Sequence, residues 1–563
     1  MIRTILLVFL FFFMSSVYAQ QTVTGMYVVH YKDKGLKKNA QNNPSLFLSD
    51  KAVERRLKQN ISFDQTDIPV NEQYVKEVSK TGARILSRSR WFNSIVIETD
   101  ALAVESIRAL PFISEVQLLS TITKQANTSV SEKQFFKAES VSPWINTSEK
   151  LATNDVYNYG NAYNQINKLK GQSLHNKGFS GQGMIIAVID AGFNSLDIMT
   201  CFDSLRVHNQ IKGTHDFAVP GNNVYATTMN SHGTMVLSCM AANSSGQMVG
   251  TAPKADYWLL RSEVAETESI IEEYHWVSAA EFADSVGADL INSSLGYTTF
   301  DKNIGNHTYA DMDGNTTVVT RGADKAAEKG ILVVNSAGNE GLKEWQYIGA
   351  PADGDSVFTI GAVDATGKRA SFSSLGPTYD KRIKPTVVAQ GSGASVFAPG
   401  ATSNPGGVLS SAGGTSFSSP IICGITACLW QAYPHFNNMQ IIEAIKATSS
   451  QASQPDSLLG YGIPDYSQAL QILSVHSDVV EKSLILYPNP VNDHVTIGFP
   501  VSIQGKYSFE IINLQGRVIY SRQHDVGSVR SFQINDIKDI PSGMYFLKLS
   551  NGLLSFSGKI IKI

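Results

Sequence analysis

Between about Val156 and Leu473 the chain keeps returning to short, near-continuous apolar runs: MIIAVID, DYWLL, DLINSSLG, ILVVNSAG and VFTIGAV. Helical patterns such as HWVSAAEFADSVGA and RGADKAAEKG lie between some of them. A strand that is apolar on both faces has to be covered on both, and helices that cross over between such strands make them parallel. The pattern predicts an α/β fold built on a parallel sheet. In such sheets ligands bind beyond the carboxyl ends of the strands, so the polar residues that follow each run are the ones to inspect.

Three of these stand out. Asp190 closes GMIIAVID, and His232 opens the helical pattern of SHGTMVLSCMAA. Ser416 lies in AGGTSFSSPII, Ala412 to Ile422, between glycines that allow close backbone approach and Pro420, which a helix tolerates in its first turn. Taken singly, each has an ordinary reading as a strand-ending carboxylate, a structural histidine and a turn serine. Together they are chemically complementary. A serine hydroxyl is a poor nucleophile until a base takes its proton, and the imidazole that does so is held and stabilised by a carboxylate. The order Asp, His, Ser along a parallel α/β framework is one of the known triad orders. Acyl transfer also needs donors aimed at the developing oxyanion. NSAGNEG, Asn335 to Gly341, follows ILVV and offers the amide of Asn339, whose plain alternative is a turn residue. The backbone N–H of Ser416, at a helix start, is a second donor.

With IAVIDAG, SHGTMV, VVNSAGNEG and GGTSFSSP in this order and spacing, the chain resembles a subtilisin-like serine protease, or subtilase. The resemblance implies that Asp190 orients His232, that His232 is general base and then acid, that Ser416 attacks the scissile carbonyl, and that Asn339 stabilises the tetrahedral intermediate. It also implies that Ser294, Leu295 and Gly296 of SSLG line the substrate cleft, where an extended peptide pairs with a strand edge. Protein or peptide substrates follow, and no cofactor is required. The sequence departs from the family at Ala191, where a hydroxyl residue is usual, and at Phe417 and Ser418, where Met and Ala are common.

The flanks read differently. MIRTILLVFLFFFMSSVYAQ has a cationic start, an apolar run and small residues ahead of Ala19, the pattern of a signal peptide spanning residues 1–19. Its apolar run is short of the roughly 20 residues a spanning helix needs, so no transmembrane segment is expected. Residues 20–120 combine strand-like MYVVHY and SIVIET with helical LSDKAVERRL and LAVESIRAL, a small α+β unit. This unit resembles a subtilase propeptide, the chain's own intramolecular inhibitor; the alternative is a permanent accessory domain. Residues 121–155 are polar and read as a linker and maturation region, and the catalytic domain is set at 156–473. SVHSDVVEKS, about 474–483, reads as a second linker. From 484 to 563, HVTIGF, YSFEII, RVIYS and MYFLKLS alternate as strands of an all-β sandwich. YPNPVNDHVTI, NLQGRVI and the closing GKIIKI make it resemble the sorting domain of type IX secretion, which implies passage through the periplasm and outer membrane of a Gram-negative bacterium. A carbohydrate-binding or stabilising sandwich is the alternative.

Charge and cysteine content bound the partners. Forty-six Lys plus Arg against 49 Asp plus Glu leave a net charge of -3, which gives no footprint for a nucleic acid. Four cysteines in 563 residues imply no disulfide scaffold. Cys423 and Cys428, five apart on one helix, point to different sides and are not expected to pair. YADMDGNT places Asp311, Asp313 and Asn315 at alternate positions, but no glutamate closes it at the spacing of a calcium loop. It is read as a surface loop, with a structural calcium as the rival. The whole is a secreted serine endopeptidase made as a precursor. Its rivals are a cell-surface binding protein or adhesin on the same fold, and an esterase using the same triad.

Overall fold

The computed structural model describes residues 24–35, 43–122, 141–143, 155–400, 406–481, 484–535, 537–551 and 555–563. The signal peptide and most of the first linker lie outside them. Seven strands form one parallel sheet, in the spatial order Val387–Gln390, Phe358–Val363, Leu332–Ser336, Leu290–Ser293, Ile185–Asp190, Asp256–Arg261 and Ile211–Asp216. The five apolar runs seen in the sequence supply the five inner strands. The two outer strands went unread because Ile211–Asp216 alternates half-exposed polar residues, and Val387–Gln390 is only four residues long. The chain passes from Asp256–Arg261 over Ile185–Asp190 to Leu290–Ser293, so its direction of travel reverses around Ile185–Asp190. The carboxyl end of that strand is the crevice of a doubly wound sheet.

Helices cover both faces. Thr415–Ala432 and His232–Ala241 lie in one core layer, with Phe417, Ile421, Val236 and Met240 buried against Val188, Val334 and Ile360. Ile271–Val286 and Val318–Glu328 lie in the other, with Trp276, Val277, Ala280 and Ala323 against Ile189, Ile291 and Val333. All four cysteines are buried free thiols.

The amino-terminal unit is a four-stranded antiparallel sheet, in the order Arg84–Ser89, Ser94–Asp100, Thr24–Tyr31 and Ile113–Ile122. One face packs on its own helices Glu72–Ser79 and Ala101–Arg108, through Val29, Ile95, Ile97, Val75 and Ile107. The other lies on the helices Ile271–Val286 and Val318–Glu328: Trp91 is buried in the same cluster as Trp276 and Ala280, and the guanidinium of Arg321 sits 5.1 Å over the Phe92 ring. The helix Asp50–Lys58, capped by the Ser49 hydroxyl, brings Arg55 and Arg56 to the same seam. There Asp284, fully buried, accepts from Arg55, from Arg56 at 2.8 Å and from Arg90 at 2.5 Å. Glu281, one turn earlier, accepts from the backbone N–H groups of Arg90 and Trp91 and from the Ser89 hydroxyl. Burial alone would raise the Asp284 carboxyl, but the three guanidinium groups outweigh it and hold it below the ordinary carboxylate range. Glu281, facing one arginine, is pushed up by its burial. A cavity of about 540 Å3 remains beside this cluster, lined by Ile85, Phe217 and Phe282 among others.

Two expectations are corrected. The segment read as a second linker continues the helix Tyr466–Glu481, because nothing from Tyr466 to Glu481 is Gly or Pro and so nothing ends the turn. Pro420 is the sixth residue of Thr415–Ala432 and lies inside the helix, past its first turn. The carboxyl-terminal unit is a connected five-stranded network in which Val495–Asn513 pairs Val518–Ile534 and Gly543–Ser550. Register shifts between Gly498 and Ile503 divide the long hairpin, which closes over its own core of Val495, Phe509, Ile511, Leu547 and Phe556. Among the described residues no helix is long and apolar enough to cross a membrane.

Removing the Asp284 carboxylate takes the charged partner from the buried guanidinium groups of Arg55 and Arg90 and leaves Arg56 with Asp67 alone. In a precursor carrying Ser416→Ala, Asp284→Asn is expected to cost about 3–5 kcal/mol in urea unfolding at neutral pH. Because the folded-state pKa of Asp284 is depressed, that deficit stays full through mild acid. It narrows only as the pH falls below the ordinary carboxylate range.

Candidate active site

Asp190 is the last residue of its strand and has no exposed surface; His232, 1% exposed, is the first residue of the helix His232–Ala241. The histidine Nδ1 lies 2.8 Å from Asp190 Oδ1 and 3.1 Å from Oδ2. Oδ1 also accepts from the N–H of Ala191 at 2.8 Å, so a backbone donor fixes the carboxylate where the family commonly has a hydroxyl residue. With Nδ1 turned to Asp190, Nε2 is the ring nitrogen directed away from it. The close packing depends on Gly233. A Cβ there would meet the carbonyl oxygen of Gly192 at 2.5 Å and Asp190 Cβ at 3.0 Å.

The helix Thr415–Ala432 opens with four hydroxyl residues in five positions, and their partners distinguish them. Thr415 donates its hydroxyl to Asn339 Oδ1 at 2.9 Å, Ser418 donates to the carbonyl of Thr415 at 2.9 Å, and Ser419 donates to Asn292 Oδ1 at 3.1 Å. Ser416 has only a 3.5 Å approach to the carbonyl of Ser294. Three hydroxyls are spent on structure and one is held loosely. Ser416 is 2% exposed, and the ring of its neighbour Phe417 lies 6.0 Å from the His232 ring, so the helix start and the histidine share one pocket wall.

Pro420 now has a reason to sit in mid-helix. It has no N–H, so the carbonyl four residues earlier, that of Ser416, loses its helical partner. Ser294 supplies the replacement, donating its hydroxyl to that carbonyl at 2.9 Å. The exchange ties the end of Leu290–Ser293 to the first turn of the helix. Leu295 and Gly296 follow, with the Leu295 carbonyl accepting from Asn335 Nδ2 at 3.0 Å and Tyr297 paired through both backbone groups with Ala350. Ser294 thus touches Ser416, and Leu295 and Gly296 follow it in the chain.

Asn339 stands in the turn after Leu332–Ser336. Its Oδ1 accepts both the N–H and the hydroxyl of Thr415 at 2.9 Å, which assigns the amide and leaves Nδ2 as the donor. Gly414 precedes Thr415 at φ +149, a backbone conformation that favours glycine, and Nδ2 lies close to it. Thr415 is not singled out in the sequence, and Ser294 is expected there only along the substrate cleft, not as the partner of the Ser416 carbonyl. The run TSFSS was the signal, but which hydroxyl does what depends on partners contributed by distant strands.

Asp311 and Asp313 are turned to their own loop. Asp311 accepts from the N–H and hydroxyl of Thr308, and Asp313 from the N–H groups of Asn315 and Thr316 and the Thr316 hydroxyl. Among the described residues the carboxylates of Glu263, Glu268 and Glu272 lie within 4.8 Å of one another. Glu263 accepts from the Tyr297 hydroxyl, and Glu272 from the N–H groups of Val264 and Ser269.

Comparison with known proteins bears on this site. Residues 181–462 match the profile of the subtilase family, residues 26–138 the peptidase S8 propeptide domain of Bacteroidota, and residues 485–563 the secretion system C-terminal sorting domain. The last is an address for secretion or the cell surface. Subtilisin from Bacillus pumilus is 31% identical over 291 residues, 51% of this chain and 90% of its own. Subtilisin NAT from Bacillus subtilis subsp. natto is 31% identical over 291 residues, and the match spans 65% of its length. A solved structure of MycP1 from Mycobacterium smegmatis is 21% identical, covers 59% of this chain and 88% of its own, and has a TM-score of 0.42.

Gly233→Ala tests the packing of the pair directly. The added methyl has to displace backbone, so the substitution is expected to cost about 1–3 kcal/mol in urea unfolding.

Proposed function

Because this chain belongs to the subtilase family, we propose that it is a secreted serine endopeptidase that cleaves peptide bonds through an acyl-enzyme on Ser416. The observation that carries the reading is the buried Asp190–His232 pair, which stands at the sheet's crevice beside a helix start where Ser416 alone lacks a short hydrogen bond.

In this reading His232 Nε2 takes the proton from Ser416 Oγ as the oxygen attacks the scissile carbonyl. Asp190 stabilises the imidazolium and keeps the proton on Nδ1. The oxyanion receives the Nδ2–H of Asn339 and the N–H of Ser416, a first-turn amide with no helical acceptor. His232 returns its proton to the departing amine, and the C–N bond breaks to leave an ester on Ser416. A water molecule, deprotonated by His232, hydrolyses the ester and the serine recovers its proton. The acyl side of the peptide lies along Ser294, Leu295 and Gly296 as an added strand, which favours a protein substrate over a small ester. No step draws on a metal or cofactor.

The amino-terminal unit acts as the chain's own inhibitor. It is anchored on Ile271–Val286 by Trp91, Glu281 and Asp284, contacts that do not depend on the chain between the two units being intact. The carboxyl-terminal unit engages the type IX secretion machinery.

Purified protein freed of its amino-terminal unit is expected to be labelled by a fluorophosphonate and to cleave a mixed peptide library, and Ser416→Ala to do neither. Asn339→Ala is expected to lower kcat by about 10²–10³ with KM little changed, since its amide acts on the intermediate. Labelling of Ser416→Ala at the parental rate would move the nucleophile elsewhere. No turnover by either form would favour a binding protein, and turnover of esters without peptides an esterase.

A further inference from the structure

Arg261 ends the strand Asp256–Arg261, in register with Asp190 on one side and with Asp216 on the other. Arg261 is 6% exposed and Asp216 3%. A guanidinium out of water is stable only where acceptors meet its donors, and here a carboxylate and a carbonyl do so. Nη1 donates to Asp216 Oδ2 at 2.6 Å, and Nε donates to the carbonyl of Ala191 at 3.0 Å. Asp216 is fixed in turn, since its Oδ1 accepts the N–H of Val219 at 2.8 Å. Ala191 is the residue whose own N–H donates to Asp190 Oδ1 at 2.8 Å. One peptide group of Ala191 therefore faces the carboxylate and the next faces the guanidinium, so the two bonds together set its backbone conformation. The following residue, Gly192, carries the carbonyl against which Gly233 of the His232 helix packs. Ser262, next after Arg261, donates its N–H to the Asp190 carbonyl at 3.1 Å and braces the same corner from the same strand end.

We propose that Arg261, backed by Asp216, is a positioning residue for the reaction: it holds the turn Ala191–Gly192 that aims the Asp190 carboxylate at His232, and its charge, offset by Asp216, tunes the field at that pair. The inference rests on Asp190 and His232 serving as the base of Ser416. The hydroxyl usual after the aspartate is missing at Ala191, so this turn holds the carboxylate with a backbone donor, and the guanidinium restrains the residue that supplies it. Arg261 acts through Ala191 and Asp190, and its ion pair with Asp216 is neutral overall. Charge left on either partner alone falls on the imidazolium that forms when His232 takes the serine proton. An unopposed anion favours that cation and an unopposed cation disfavours it. The other charged or titratable groups facing the pair are Asp190, Glu263 and His275. Burial pushes His275 down to about 4, so it carries no charge at neutral pH.

Each variant is produced as the full-length chain and assayed on a peptide substrate after its amino-terminal unit is removed, with kcat and KM followed against pH. Arg261→Met removes both bonds and leaves Asp216 unopposed. It is expected to lower kcat about 10–100-fold with KM little changed, the worth of one charge-assisted hydrogen bond. The acid limb of its kcat/KM profile is expected to move up by about one pH unit. Asp216→Asn leaves the Arg261 charge unopposed and is expected to move the same limb down by about as much. Loss of packing alone lowers activity in both variants but does not drive the limb in opposite directions. Arg261→Lys keeps the charge beside Asp216 on a single nitrogen. It is expected to return the limb to its parental position while recovering only part of kcat, and with Asp216→Asn it carries the test if Arg261→Met does not fold. A parental kcat and limb in Arg261→Met would overturn the proposal. So would limbs that move the same way in Arg261→Met and Asp216→Asn, or an Arg261→Lys limb displaced as far as that of Arg261→Met. A parental enzyme that turns over no more peptide than its Ser416→Ala form would instead overturn the reading of the site, and this inference with it.

Discussion

Asp190 has no contact with water, and a carboxylate in that position costs several kcal/mol unless charge-assisted hydrogen bonds replace its hydration. Two donors meet it at 2.8 Å, the Nδ1 of His232 and the N–H of Ala191. The first can reach it only because a helix begins where the sheet's direction of travel reverses, and because Gly233 and Gly192 let two backbones approach without side chains between them. The surrounding architecture follows from keeping that approach rigid. Ile185–Asp190 sits between Asp256–Arg261 and Leu290–Ser293 in full register, and both faces of the strand are packed. A displacement at its end would separate the carboxylate from the histidine and leave both buried without compensation.

The seam beneath the amino-terminal unit uses the same physics with the sign of the charges reversed. Here one carboxylate is shared by three guanidinium groups, of which Arg56 also reaches Asp67 at 3.0 Å, and breaking any one contact deprives a buried charge of a partner. Severing the chain between the two units removes none of these contacts. A cut there would not by itself separate the two units, because the cluster still holds them together. Two acids on one helix respond oppositely to protons. Asp284, held low, keeps its stabilising charge into acid, whereas Glu281, raised by burial, is relieved of a cost as it protonates. Mild acid thus spares this interface.

The inner five strands were legible because burial on both faces writes itself as an uninterrupted apolar run, and Asp190, His232, Asn339 and Ser416 because each stands where a run or a helical pattern changes character. What was not legible came from partners remote in sequence. Thr415 orients Asn339 across 76 positions, and Ser294 reaches Ser416 across 122. No local pattern carries such pairings. Tyr466–Glu481 was read as partly linker because its polar second half looks unlike a buried helix, although it contains nothing that stops one. Pro420 was assigned to a first turn on a general preference for proline there. The preference was overridden by a hydroxyl from another strand.

That override explains the crowding of small residues before the core. A nucleophile has to be fixed in position while its own oxygen stays uncommitted, and the two demands conflict if the serine's hydroxyl does the fixing. Here the backbone carbonyl of Ser416 does it instead. Pro420 frees the carbonyl, Ser294 holds it, and Thr415, Ser418 and Ser419 lock the turn around it with hydroxyls that are no longer available for chemistry. Ser418, a departure from the family's common alanine, closes back on Thr415 and adds a restraint to the turn. Phe417 fills the wall against His232 with a rigid ring where a flexible methionine is common. The substitutions that set this chain apart from its relatives therefore stiffen the helix start and leave untouched the one oxygen that the proposed reaction requires.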